Sequence, residues 1–270
     1  MIPDTTGTLF LPSPSSTIAG EVDALFNFVL YVSIVFFLIV VVGSAYFAFR
    51  YRKKAKDQLD TAPSHNIKLE LAWTIIPVIL VFTVFFWGFR VFLKMHVVPK
   101  DAVDIKVTAQ KWFWSFDYVK EGITSLNELV VPVDKPVQLT MSSTDVIHSF
   151  YVPGFRVNLD ELPNRYTVTW FEANRPGSYD LFCAEYCGTG HSEMIGKVRA
   201  VSDREYQDWL DTAGLGGEDV PLVELGAKVY TAKACVTCHS IDGRPNIGPS
   251  LQGRYNTQQQ MDDGTTVTVD

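Results

Sequence analysis

The 270 residues carry 23 Lys and Arg against 30 Asp and Glu, a formal charge of −7, and 47% of them are hydrophobic. A pI near 5.2 argues against a nucleic-acid partner, and a mean hydropathy of +0.10 is too apolar for one water-soluble domain. The four cysteines fall in two tight clusters, Cys183/Cys187 and Cys235/Cys238. A disulfide across so short a loop gains little, so metal or cofactor chemistry is the expectation for both.

Residues 1 to 23 hold no Lys or Arg, so the apolar run that follows lacks the basic leader and short core of a signal peptide. Residues 24 to 49 are uncharged and exceed the roughly 20 needed to cross a hydrocarbon core. Residues 71 to 93 form a second span, with Pro77 expected to kink it near its start and Arg90 close enough to its end to snorkel. Between the spans RYRKKAK, residues 50–56, gathers positive charge. That places the connecting loop in the cytoplasm, and the N-terminus and everything after residue 95 outside.

Beyond the hairpin the texture changes to short alternating stretches: VDIKVTA (103–109), ELVVPV (128–133), PVQLTMSS (136–143), RYTVTW (165–170), GSYDLFC (177–183) and GKVRAVS (196–202). These read as strands of a small antiparallel sandwich or barrel. In QKWFWSFDY (110–118), Trp112, Trp114, Phe116 and Tyr118 alternate as one buried face of a strand would. REYQDWLD (204–211) reads as a brief closing helix.

The stretch CAEYCGTGHSEM (183–194) spaces Cys183, Cys187, His191 and Met194 at intervals of four, four and three. The other histidine between residues 97 and 234 is His148, at the end of a strand in STDVIHSFYVPG. Thiolate, imidazole and a weak axial thioether are a copper donor set. Two thiolates can bridge a pair of ions that share one electron, which keeps reorganisation small. Tetrahedral zinc on the two Cys and two His is the competing reading, and it leaves Met194 without a purpose.

After a flexible joint, GLGG at 214–217, residues 220–234 restart as a helix leading into CVTCH (235–239). C-x-x-C-H is the attachment sequence for c-type haem, with thioether bonds from Cys235 and Cys238 and His239 as proximal ligand. A thioredoxin-like redox pair is the alternative, and it has no use for the adjacent histidine. Only residues 240 to 270 follow, and Met261 lies in the polar run TQQQMDDG, so the native polypeptide is expected to be longer than these 270 residues.

At every ligand position CAEYCGTGHSEM resembles the dinuclear copper (CuA) loop of subunit II of haem-copper cytochrome c oxidases, a resemblance that covers roughly residues 20 to 210. CVTCH, with Gly226, Tyr230 and Pro249, resembles a class I cytochrome c, and the combination is similar to oxidases that carry their own cytochrome c on subunit II. The resemblance implies a two-helix transmembrane hairpin (24–95), an all-β cupredoxin-like Greek-key sandwich (96–213) and an α-helical class I cytochrome c domain (214–270) that stops short of its end. It implies that His148, Cys183, Cys187, His191 and Met194 hold CuA with the backbone carbonyl of Glu185. The Glu185 carboxylate then serves a magnesium shared with the catalytic subunit.

By the same resemblance Trp112 corresponds to the surface tryptophan where electrons enter. Glu70, with Trp73 and Pro77 matching, aligns with a carboxylate at the cytoplasmic mouth of a proton path. Asp145, Asp160 and Arg165 fall near the magnesium and the subunit interface. Leu162-Pro163-Asn164 replaces a Pro-Gly turn, and Asn tolerates the positive φ required.

The implied partners are subunit I, other oxidase subunits, membrane lipid, and cytochrome c or another upstream donor complex, in a bacterial plasma membrane. Quinol-oxidising relatives lack these cysteines, which points to cytochrome c as reductant. The expected function is an electron-relay subunit of a proton-translocating respiratory oxidase, with oxygen reduced in a partner subunit. A membrane-anchored copper carrier or storage protein is the alternative; it would need one helix and no haem.

Overall fold

A computed structural model describes residues 7–52, 65–213, 223, 226–227, 230–231, 235–260 and 264–268. Two long helices come first, α1 (Ala19–Arg50) and α2 (Ile67–His96), each beginning four or five residues before its expected span and ending one to three after it. Both are long and apolar enough to cross a membrane, with mean hydropathies of 2.8 and 2.2 over an 18-residue stretch of each. Asn66 starts α2 by accepting the Leu69 N–H on Oδ1 at 3.3 Å, and the helix runs through Pro77 as one element. Most of the basic loop expected in the cytoplasm, and the joint at 214–217, lie outside the described residues.

Ten strands follow: β1 (Val103–Gln110), β2 (Phe113–Tyr118), β3 (Ile123–Leu126), β4 (Glu128–Pro132), β5 (Pro136–Ser143), β6 (His148–Val152), β7 (Val157–Glu161), β8 (Thr167–Glu172), β9 (Gly177–Cys183) and β10 (Ile195–Val201). They form two five-stranded sheets, β3-β2-β1-β5-β8 and β4-β10-β9-β6-β7, and α3 (Asp203–Ala213) closes one end. The sandwich is mixed where an antiparallel one was expected, because β1 pairs parallel with β5, and β4 with β10. A parallel pair needs a crossover of a dozen or so residues, and β2, β3 and β4 supply it between β1 and β5. Alternation within a strand tells which side chains point inward; it carries no record of the neighbour's direction.

Ile105, Val107 and Ala109 of β1, Trp114, Phe116 and Tyr118 of β2, and Leu139 and Met141 of β5 are buried against Phe150, Leu181 and Val198 of the facing sheet. Trp112 is the exception to the expected aromatic stripe, since it precedes β2 and is only partly buried. Trp114 is 0% exposed, so truncating it to alanine costs about 3–5 kcal/mol. The Tyr118 hydroxyl donates to the Val130 carbonyl at 2.7 Å and accepts the Val130 N–H at 2.8 Å, fastening the two sheets together.

The sandwich is anchored to the hairpin at several points. Ser15 and Thr17 make backbone bonds to Gly154 and Glu172, and Ser16 donates its hydroxyl to the Phe155 carbonyl while accepting the Ala19 N–H. Arg156, in the left-handed region at φ 58°, grips Asp23 of α1 through two nitrogens at 2.6 and 2.9 Å. Trp170 of β8 donates its indole N–H to the Lys94 carbonyl of α2 at 3.1 Å. Asn164 takes the left-handed conformation expected of it, at φ 57°. Near the C-terminus a short helix, α4 (Cys235–Cys238), and a hairpin, β11 (Gln258–Gln260) with β12 (Thr266–Thr268), are described.

Candidate metal centre

His148 opens β6 and Cys183 ends the neighbouring β9, so ladder pairing brings the two side chains together at one end of the sandwich. From Cys183 the chain loops outward and returns through a 3-10 turn, His191–Glu193, that delivers Met194 to the head of β10. Backbone bonds from His191 N to Gly188 O, Glu193 N to Gly190 O and Met194 N to His191 O hold that return.

The six atoms anticipated from the sequence form a continuous series. His148 Nδ1 lies 3.9 Å from Cys183 Sγ, which lies 3.2 Å from the Glu185 carbonyl oxygen and 3.8 Å from Cys187 Sγ. Cys187 Sγ in turn lies 3.6 Å from His191 Nδ1 and 3.9 Å from Met194 Sδ. The two sulfurs are not bonded to each other, and His148, Cys183, Cys187 and Met194 are all buried.

Electrostatics make this a cation site. Burial pushes the Cys183 thiol up, yet hydrogen bonds from His148 and from the backbone of Ser149 and Glu185 outweigh it and pull the group down to about 6. Burial and then the charge on Cys183 push Cys187 up to about 12. One thiolate forms readily and the second forms only when a cation arrives, so metal binding expels a proton.

Asp145 orders the first imidazole. Its Oδ1 accepts from His148 Nε2 at 2.8 Å, which fixes the tautomer and turns the Nδ1 lone pair toward the sulfurs. Its Oδ2 accepts the Lys111 N–H at 2.9 Å, so the same carboxylate holds the approach to Trp112, whose indole lies against the loop at Gly188 and Gly190. Burial raises Asp145, but bonds from His148 and from the backbone at Lys111 and Val146 hold it below the usual carboxylate range. Burial lowers His148, and its bonds to Cys183 and Asp145 more than restore it.

Other anticipated residues lie apart. Glu70 sits in the first turn of α2 and accepts the Asn66 N–H at 3.1 Å, closing the cap of that helix. Asp160 accepts from the Ser149 hydroxyl at 2.7 Å, and with Arg165 it lines a shallow groove beside β7. In the C-terminal part His239 donates Nδ1–H to the Pro249 carbonyl at 2.7 Å, leaving Nε2 with its lone pair, as a proximal haem ligand requires. A Cβ on Gly248 would fall 2.6 Å from the His239 ring, so glycine gives the imidazole its room.

Glu161 escaped the sequence reading. It faces His148 across the β6–β7 ladder, is 0% exposed, and neither carboxylate oxygen has a hydrogen-bond partner among the described residues. Burial raises it well above the usual carboxylate range, against a weaker lowering by the nearby Ala109 backbone, which falls outside hydrogen-bond geometry. The signal was available: Val157, Leu159 and Glu161 share one face of a strand whose first member is buried.

Residues 4–91 match the family described as cytochrome C oxidase subunit II, transmembrane domain, residues 121–201 its periplasmic domain, and residues 223–269 the cytochrome c family. Cytochrome c oxidase subunit 2 of Alkalihalophilus pseudofirmus is 31% identical over 228 residues, covering 80% of this chain and 67% of the relative. The Synechocystis protein of the same name is 30% identical over 250 residues, covering 74% of each. The chain belongs to the cytochrome c oxidase subunit II family. The crystal structure of the periplasmic domain of the Bradyrhizobium japonicum subunit II is 34% identical, covering 43% of this chain and 96% of that one, with a TM-score of 0.42. This subunit II is accordingly part of an oxidoreductase that relays electrons, anchored in a membrane with its sandwich outside the cytoplasm. Its domains point to copper and haem, and its family implies further oxidase subunits around it.

Proposed function

We propose that this subunit receives electrons at the outer face of a bacterial plasma membrane through covalent haem c and a dinuclear copper centre, and passes them to a catalytic haem-copper subunit I. The observation that supports this reading is the unbroken series of six donors around the Cys183–Cys187 pair. When bound, a copper pair would supply one-electron transfer with little rearrangement of its ligands.

The protein's own groups divide the remaining work. Cys183 and Cys187 would hold the copper through their thiolates, His148 and His191 through Nδ1, and Met194 and the Glu185 carbonyl would add weaker donors. Asp145 keeps His148 in the ligating tautomer. The apolar interior beneath Met194 excludes water. Trp112 covers the loop and offers the surface at which electrons arrive. Glu185 presents an exposed carboxylate to a magnesium shared with subunit I, and Glu70 stands at the cytoplasmic mouth of a proton path into that subunit. Cys235 and Cys238 would attach haem c through thioethers, and His239 would supply the imidazole for its iron. The external donor is cytochrome c or another upstream electron-donor complex.

Metal and haem analysis of the isolated complex tests the reading. Two coppers per chain with a delocalised mixed-valence spectrum, together with a covalent haem, are expected. One labile copper and no haem would instead identify a copper carrier or store, and zinc at the loop would refute electron relay.

A further inference from the structure

The geometry points to Gly190 as the positioning residue for Trp112: the missing side chain at 190 is what lets the indole lie against the metal-binding loop. This rests on Trp112 being where electrons arrive, and it names what holds the ring there. An ideal Cβ on Gly190 would fall 2.6 Å from Cδ2, 2.8 Å from Cε3 and 3.0 Å from Cγ of Trp112. On Gly188 it would lie 3.4 Å from Cζ2 and 3.5 Å from Nε1. The ring therefore rests on both glycines, in the short segment that joins Cys187 to His191.

Three observations separate this from ordinary loop geometry. Gly190 has φ −90° and ψ 16°, a conformation open to L residues, so the ring and not the backbone demands glycine there. Gly188, at φ +123°, needs glycine whatever Trp112 does. The indole N–H is buried with no hydrogen-bond partner among the described residues, so shape and not a polar contact aims the ring. The backbone beside the ring, meanwhile, is tied to His148 through Asp145. With that end fixed, a methyl group at 190 has to turn the indole outward, away from Cys187 and His191.

The assembled oxidase carrying Gly190→Ala, Trp112→Ala or both provides the test. The measurements are the copper spectrum, the rate of copper reduction after rapid mixing with a reduced donor, and hydroxyl-radical labelling of Trp112 followed by mass spectrometry. Gly190→Ala is expected to keep the copper spectrum, label faster at Trp112, and be reduced roughly 10- to 100-fold more slowly, the scale of an ångström-size misplacement in an otherwise intact site. In the double variant the alanine at 190 adds nothing to the loss from Trp112→Ala, because both changes break one contact.

Wild-type labelling and rate in Gly190→Ala overturn the positioning role, even while a slow Trp112→Ala leaves the arrival point standing. Additive losses in the double variant overturn it too, by placing the effect in the loop backbone. Full-speed reduction of Trp112→Ala overturns the arrival point on which the inference rests. Should Gly190→Ala lose the copper spectrum, recovery in the double variant supports the contact and continued loss overturns it.

Discussion

Replacing Glu161 with leucine should stabilise the copper-free sandwich, and by an amount that grows with pH. The carboxyl is fully buried, unpartnered and held in its protonated form by desolvation. In the unfolded chain the same group ionises near the ordinary glutamate value of about 4.3. Between that value and the raised folded one, the native state holds a proton that the unfolded state has released. Stability attributable to Glu161 is therefore complete below about pH 4.3 and falls by about 1.4 kcal/mol per pH unit above it, until the folded carboxyl itself ionises. Leucine has similar bulk and no proton to lose. It also removes the cost of an unsatisfied buried polar group, about 1–3 kcal/mol. Denaturant unfolding of the detergent-solubilised, copper-free chain, followed by tryptophan fluorescence from pH 5 upward, should show the two stability curves separating by about 1.4 kcal/mol per pH unit until the folded carboxyl ionises. A difference that stays constant with pH would refute a buried neutral acid at this position.

Asp145→Ala should weaken copper binding roughly 10- to 100-fold in a chelator competition, since the imidazole loses the partner that fixes its tautomer. Because Asp145 also raises His148, the same change should shift the acid loss of copper to lower pH, opposite to what weakening alone would do. Asp23→Ala strands a guanidinium whose side chain is only 5% exposed. It should cost about 3–5 kcal/mol, seen as a lower unfolding midpoint in detergent. Glu70→Gln should leave copper reduction fast while slowing proton uptake by the assembled oxidase, measured with a pH indicator; unchanged uptake counts against the proton-path role.

The metal centre was legible because its chemistry is local. Four of its side-chain donors sit in one twelve-residue loop, where spacing alone brings them near each other, and the fifth was one of two histidines between residues 97 and 234. The membrane spans were legible because lipid demands an uninterrupted apolar run. β3 and β7 escaped because each is short and carries polar residues: Thr124 and Ser125 in one, Asn158, Asp160 and Glu161 in the other. The parallel pairings escaped because strand direction is settled between distant segments, β1 with β5 and β4 with β10, and not within either strand. Asp145 was placed near the interface by resemblance, but its bond to His148 depends on how the chain turns between β5 and β6.

The attachments among residues 15–17, Asp23, Lys94, Arg156 and Trp170 make the membrane hairpin a gauge as well as an anchor. Each added residue rotates an α-helix by about 100°. One extra residue in the outer turns of α2 would thus swing the Lys94 carbonyl away from Trp170 and pull against the Arg156–Asp23 clasp. The same insertion between residues 52 and 65, across the bilayer, would disturb none of these contacts. Length variation among related chains should accordingly collect in the inner connection and be scarce between residues 90 and 103. The height and facing of the metal loop above the lipid are then inherited from the register of a helix, much as a lens is held by the length of its barrel.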